Sequence, residues 1–102
     1  MDFIKKRGEL TVDFIHEKNR IFAVNEEGRL IAEVTFPNIG DYVVNINHTF
    51  VDASLRGQGV ASQLLEEAYE EIKKQGKTAV MTCSYAKKWF AHNPLAQDIM
   101  AR

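Results

Sequence analysis

The chain of 102 residues holds one cysteine, Cys83, and only two prolines. A lone thiol closes no internal disulfide, so a small disulfide-stapled secreted domain is excluded and a reducing compartment fits best. Charge of neither sign dominates, since 13 basic and 14 acidic side chains leave a net charge of −1. That balance provides no overall basic field for nucleic acid, and the cluster Lys5-Lys6-Arg7 reads as a solvated terminus. No apolar run approaches the ~20 residues that span a bilayer. The N-terminal charges are not followed by an apolar stretch, so no signal peptide is expected. The histidines and the cysteine have no metal-ligand spacing, so no metal is expected. Neither Gly-x-x-x-x-Gly-Lys-Ser/Thr nor Gly-x-Gly-x-x-Gly occurs, which disfavours the usual nucleotide-binding loops. These absences together predict a soluble cytoplasmic protein, monomeric by default, with no nucleic-acid or membrane partner.

What is present supports an ordinary core. Hydrophobic residues make up 45% of the chain, enough for a single domain over residues 1–102. Leu10, Val12 and Phe14 alternate with Thr11 and Asp13, predicting a strand over 10–16. A second strand over 20–25 ends in the turn Asn25-Glu26-Glu27-Gly28. Residues 30–36 read as a third strand, broken by Pro37-Asn38-Ile39-Gly40-Asp41, and residues 42–51 as a fourth, longer one. Successive antiparallel hairpins are the economical topology. The period then changes from 2 to about 3.6 residues. Val60, Ala61, Leu64, Leu65, Ala68 and Ile72 form one apolar stripe, and Gly76 suits the position just past the helix end. Residues 78–83 are β-like again. A short helix over 84–90, with Ser84 as a possible N-cap, is interrupted by Pro94, and weak helical turns follow over 95–100.

Between the fourth strand and the long helix lies Leu55-Arg56-Gly57-Gln58-Gly59-Val60-Ala61. A glycine-rich turn there presents backbone N–H groups at the positive end of a helix, a ready site for phosphate. Arg56 adds a charged fork. Strand, helix and strand between Val43 and Cys83 make a βαβ unit whose strands should be parallel. Ligands of such sheets bind at strand C-terminal ends, an edge that gathers His48 to Val51, the loop, and Cys83 to Tyr85.

Arg56-Gly57-Gln58-Gly59-Val60-Ala61 matches Gln/Arg-x-x-Gly-x-Gly/Ala, and at these residues the chain resembles the GNAT superfamily of N-acetyltransferases. With His48-Thr49-Phe50-Val51, Cys83-Ser84-Tyr85, Trp89-Phe90 and His92-Asn93-Pro94 it resembles the small, minimal GNAT-like family. The resemblance implies an α+β fold: a mixed, mostly antiparallel sheet with a parallel βαβ unit carrying the loop, about five strands and two or three helices. It also implies acetyl-CoA as cosubstrate and transfer of acetyl to an amine, of a small molecule or a protein. In that picture the CoA pyrophosphate lies on the loop: Arg56, Gly57, Gln58, Gly59, Val60, Ala61 and Ser62. The pantetheine arm pairs with Phe50, Val51 and Asp52. Tyr85, Lys87, Lys88 and Asn93 approach the distal part of CoA. The thioester sits beside Cys83 and near His48.

Acetyl transfer needs an acceptor for the amine proton, donors for the thioester oxygen and an exit for the CoA thiolate. Cys83 reads as a nucleophile, as an acid for the departing sulfur, or as a small buried hydrophobe. A histidine side chain titrates near neutral pH, so His48 could take the amine proton, or it is a histidine bonded to a neighbouring strand. Tyr85 could donate to the leaving thiolate or simply pack. Arg56, Lys87 and Lys88 read as phosphate contacts or as solvated cations, and Trp89 and Phe90 as core anchors. The stretch Asn45-Ile46-Asn47-His48 lacks the carboxylate base that many GNAT enzymes carry there, which favours His48 or water. The second expectation is a CoA-binding module with little or no catalysis.

Overall fold

The expected alternation over residues 20–36 produces two neighbouring antiparallel strands, and the rest of the sheet is built outward from them. The computed structural model describes residues 3–6 and 9–101, with side chains from Val12 onward. The strands are β1 (Phe3–Lys6), β2 (Glu9–Val12), β3 (Ile15–Glu17), β4 (Arg20–Val24), β5 (Leu30–Thr35), β6 (Val43–Ile46), β7 (His48–Val51) and β8 (Thr78–Met81). The helices are α1 (Val60–Lys74) and α2 (Ser84–Ala91), with 3-10 turns at Ala53–Leu55 and Pro94–Ile99. Four strands form an antiparallel sheet in the order β3-β4-β5-β7, while β6 and β8 pair in parallel across α1, and β1 and β2 form a separate hairpin. The mixed α+β arrangement and the parallel βαβ unit are those expected.

Helix α1 buries Val60, Leu64, Leu65, Ala68 and Ile72 against Ile21, Ala23, Ala32 and Val34 of the sheet. Each fully buried Leu or Ile contributes roughly 1.5–3 kcal/mol. Phe36, Ile46 and Phe90 complete the core. Of the expected stripe only Ala61 stays partly exposed, since it faces the loop side.

Three elements differ from expectation. The strand over 10–16 is interrupted at Asp13 and Phe14, so β2 pairs with β1 and β3 with β4. Lys5 and Lys6 lie in β1, and Arg7 lies outside the described residues. The long strand over 42–51 breaks at Asn47. Val44 and Ile46 are buried, but the inward positions then slip by one residue to Thr49 and Val51, leaving His48 exposed. Asn47 absorbs the slip: its N–H donates to Thr35 O at 3.2 Å, and its Oδ1 accepts from the Thr35 hydroxyl at 2.6 Å. Finally, Cys83, in an extended conformation, is the N-cap of α2, and Ser84 is its first helical residue.

Candidate functional site

The loop adopts the backbone its glycines suggested. Gly57 and Gly59 have φ of +78° and +80°, a region that costs an L-residue roughly 1–2 kcal/mol. A Cβ on either would meet nothing within 4 Å, so the space in front of the loop is open. Gly59 caps α1 without any side-chain hydrogen bond. The first amide to close on it is Gln63, whose N–H reaches Gly59 O at 3.1 Å. The amides of Val60, Ala61 and Ser62 precede that bond at the positive end of the dipole.

A cavity of about 500 Å³ opens in front of these amides. Arg56, Gly57, Gly59, Val60 and Ala61 line it on the loop side, together with Leu55. Thr49, Phe50 and Val51 line it on the strand side, and Tyr85, 42% exposed, stands at the start of α2. On this side β7 is the last strand of its sheet, because β8 pairs with β6 instead. Main-chain groups alternate direction along a strand. Since the Asp52 N–H points to Ile31 O at 2.8 Å in the β5 direction, Thr49 and Val51 turn their amides and carbonyls towards the open edge. Accordingly Arg56 Nε donates to Val51 O at 3.3 Å, which holds the guanidinium stem at the cavity mouth.

Cys83 sits at the same edge, half-buried, with Sγ 3.4 Å from Thr49 Oγ1. Burial pushes the thiol up, but the Thr49 hydroxyl and the Ala86, Tyr85 and Thr49 backbone amides favour the thiolate more, so Cys83 lies below its ordinary 9.0. The Tyr85 and Ala86 amides act as nearby dipoles at the start of α2, since neither makes a regular capping bond to the sulfur. His48 does not meet Cys83. It follows Asn47 on the opposite face of β7 from Thr49, and its Nε2 lies 3.3 Å from Glu33 Oε1.

Other expected site residues are placed differently. Asp52 accepts from Arg29 Nη2 at 2.6 Å and from the Ser54 N–H at 3.0 Å, capping the turn Ala53–Leu55. The Ser54 hydroxyl and N–H, then Arg29, hold its carboxyl below 3.8. Gln58 turns back to Ser54 O at 3.0 Å. The Ser62 hydroxyl accepts from Trp89 Nε1 at 2.9 Å, tying α2 to the start of α1. Lys87 and Lys88 are exposed on α2 and do not line the 500 Å³ cavity. Asn93 donates to Trp89 O at 2.7 Å and lines a second hollow of about 370 Å³ with Glu66 and Tyr69, past the far end of α2. Thr49, Leu55 and Glu33 are the additions that sequence reasoning missed. The one-residue slip after Ile46 is the signal that could have pointed to Thr49.

A family model described as GCN5-related N-acetyl-transferase matches residues 20–99. Protein NATD1 of Gallus gallus is 32% identical over 81 residues, spanning 78% of this chain and 74% of that protein. The NMR structure of a GCN5-like protein from Staphylococcus aureus superimposes with a TM-score of 0.74 at 27% identity, covering 87% of each chain. The crystal structure of the GNAT family N-acetyltransferase YhbS from Escherichia coli in complex with CoA gives a TM-score of 0.54 at 28% identity, over 61% of this chain and 38% of that one. The matched span runs from β4 to the turn Pro94–Ile99 and includes both walls of the cavity, and with that extent of agreement in sequence and fold the chain belongs to the GCN5-related N-acetyltransferase family.

Proposed function

We propose that the protein transfers acetyl from acetyl-CoA to an amine, with the cavity between β7 and the loop holding CoA. The observation that carries this reading is the meeting of two features in one cavity. Uncapped amides at the start of α1, behind two glycines in the left-handed region, suit a pyrophosphate. An unpaired strand edge suits the amide groups of a pantetheine arm, which can bond to main chain as a strand does. Arg56 at the mouth supplies a cation for the phosphates. The CoA complex of YhbS is consistent with the same assignment.

Transfer requires the amine nitrogen to attack the thioester carbonyl, a developing oxyanion to be stabilised, and CoA thiolate to leave. Outward-facing amides of β7 are suited to the oxyanion. Cys83, at the same edge with a thiol that ionises more readily than usual, suits either of two parts: as thiolate, attack on the thioester, giving an acetyl-cysteine that the amine then resolves, or, as thiol, return of a proton to the CoA sulfur. Since Thr49 rather than His48 is the partner of Cys83, a Cys-His pair is not the activating device. Neither Cys83 nor His48 lines the cavity itself, and this favours, as the second reading, a CoA-binding module with little catalysis.

Thermal unfolding with CoA and acetyl-CoA tests the first step. A ligand at 100 times its Kd stabilises the folded state by about 2.7 kcal/mol, which reads as a rise in Tm of roughly 10 °C or more in a domain of this size. Absence of any shift at millimolar CoA would refute the assignment. CoA release from acetyl-CoA across an amine panel then separates an enzyme from a binding module.

A further inference from the structure

The outer face of the four-stranded sheet carries a connected row of side chains separate from the loop. The Arg20 guanidinium lies 3.8 Å over the Phe22 ring. Its Nε donates to Glu33 Oε2 at 2.6 Å and its Nη1 to Glu17 Oε1 at 3.0 Å. The second oxygen of Glu33 is the one facing His48 Nε2 at 3.3 Å. Register brings these groups together: Thr35 of β5 lies opposite both Arg20 and His48. Glu33, two residues along the same face, reaches both diagonally. The Glu33 side chain is 16% exposed and that of His48 51%. The row therefore runs from a carboxylate fixed by arginine to an imidazole open to solvent. Phe50, directly opposite Glu33 in the register and on the His48 face, lines the cavity.

We propose that Glu33 is a positioning residue for His48. Its carboxylate faces Nε2 at 3.3 Å, a contact that favours the Nε2–H tautomer and leaves the Nδ1 lone pair to receive the proton of an acceptor amine. The inference rests on the acetyl-transfer reading above. As the amine nitrogen bonds to the thioester carbon, its proton passes to Nδ1 and the C–S bond breaks, its electron pair leaving on the CoA sulfur. The products are the amide, CoA thiolate and an imidazolium, which returns its proton to solvent. A carboxylate held against the far nitrogen orients the ring and stabilises the imidazolium as it forms, the same division of labour as in acid–histidine pairs elsewhere. The charged groups facing His48 are Glu33 from β5 and, behind it, Arg20 from β4 and Glu17 from β3. Arg20 locks the carboxylate plane through Oε2 and leaves Oε1 for the ring. Cys83, on the other side of β7, takes no part in this pair, so the amine approaches from the outer sheet face.

Wild type, Glu33→Gln and His48→Gln provide the test, with three readouts. The first is the rise in Tm with CoA. The second is the nitrogen-15 spectrum of the His48 ring. The third is CoA release from acetyl-CoA, with spermidine and a lysine-containing peptide as acceptors. All proteins should keep the CoA shift, and His48 of wild type should be the Nε2–H tautomer. Glu33→Gln should lower kcat about tenfold, a modest share of what general-base catalysis provides, with KM for acetyl-CoA unchanged. In His48→Gln kcat should fall at least as far as in Glu33→Gln. Wild-type kcat in Glu33→Gln, or an Nδ1–H tautomer in wild type, would overturn the proposal. So would wild type that binds CoA yet releases none with either acceptor. Absence of a CoA shift in wild type would instead refute the acetyl-transfer reading beneath it.

Discussion

Gly59→Ala separates what the loop glycine does for the fold from what it does for a ligand, because Gly28 is a matched control. Gly59 has φ of +80° and Gly28 +82°, and an added Cβ meets nothing within 4 Å at either position. Both substitutions therefore impose backbone strain and no collision. The strain costs roughly 1–2 kcal/mol, which lowers Tm by about 5–10 °C in a domain of this size. Gly28 sits in the turn after Asn25, away from the cavity, whereas Gly59 opens α1 and lines it. A methyl on Gly59 projects into the space assigned to the pyrophosphate and displaces it from the first-turn amides. Losing one such charge-assisted hydrogen bond costs about 1.5–3 kcal/mol, or roughly a 10- to 150-fold weaker Kd. Calorimetric titration with CoA at 10 °C, where both variants stay folded, compares them directly. Equal CoA affinity in Gly28→Ala and Gly59→Ala would show that the loop is only a turn.

Two further outcomes follow from the charges and donors around the site. Asp52 has its carboxyl depressed below 3.8 by Ser54 and Arg29, so its ionised form contributes stability that is present above about pH 4 and lost as pH falls through the lower folded value. Asp52→Asn should accordingly unfold at lower denaturant than wild type at pH 7, and the gap should close below pH 4; a gap that persists in acid would mean that shape, not charge, is lost. At Cys83, Thr49→Val removes the hydroxyl that favours the thiolate, so the thiol should titrate higher and react more slowly with iodoacetamide at pH 7. An unchanged or faster rate would remove Thr49 from the account.

The sequence made the loop and the βαβ unit legible because each had a strict local signature. Two glycines needed at positive φ, followed at once by a 3.6-residue apolar stripe, admit few other structures. The break at Asn47 was harder to see, because residues 42–51 are uniformly strand-like and only the phase of their alternation changes. Ser84 looked like a cap by residue type, but the backbone turns one residue earlier, at Cys83. The site was less legible than the fold. Which face His48 takes depends on the slip at Asn47, and its partner Glu33 lies on a strand whose register is fixed by β4 and β7 together. The Asp52 side chain pairs with an arginine 23 residues earlier. Contacts of that kind are set by sheet pairing, which no local pattern records.

The edge that β7 leaves open has a consequence for how this protein tolerates change. Thr49 and Val51 offer that edge their N–H and C=O groups, of which proline lacks only the N–H. Recognition through the main chain would leave side chains there answerable mainly to packing, apart from the Thr49 hydroxyl at Cys83, so diverse substitutions at Val51 should leave a chain proposed to pair there in register. Proline is the exception, since it deletes the very amide on offer. A strand edge of this kind lets amino-acid identity drift while the surface it presents, written in backbone direction, stays the same.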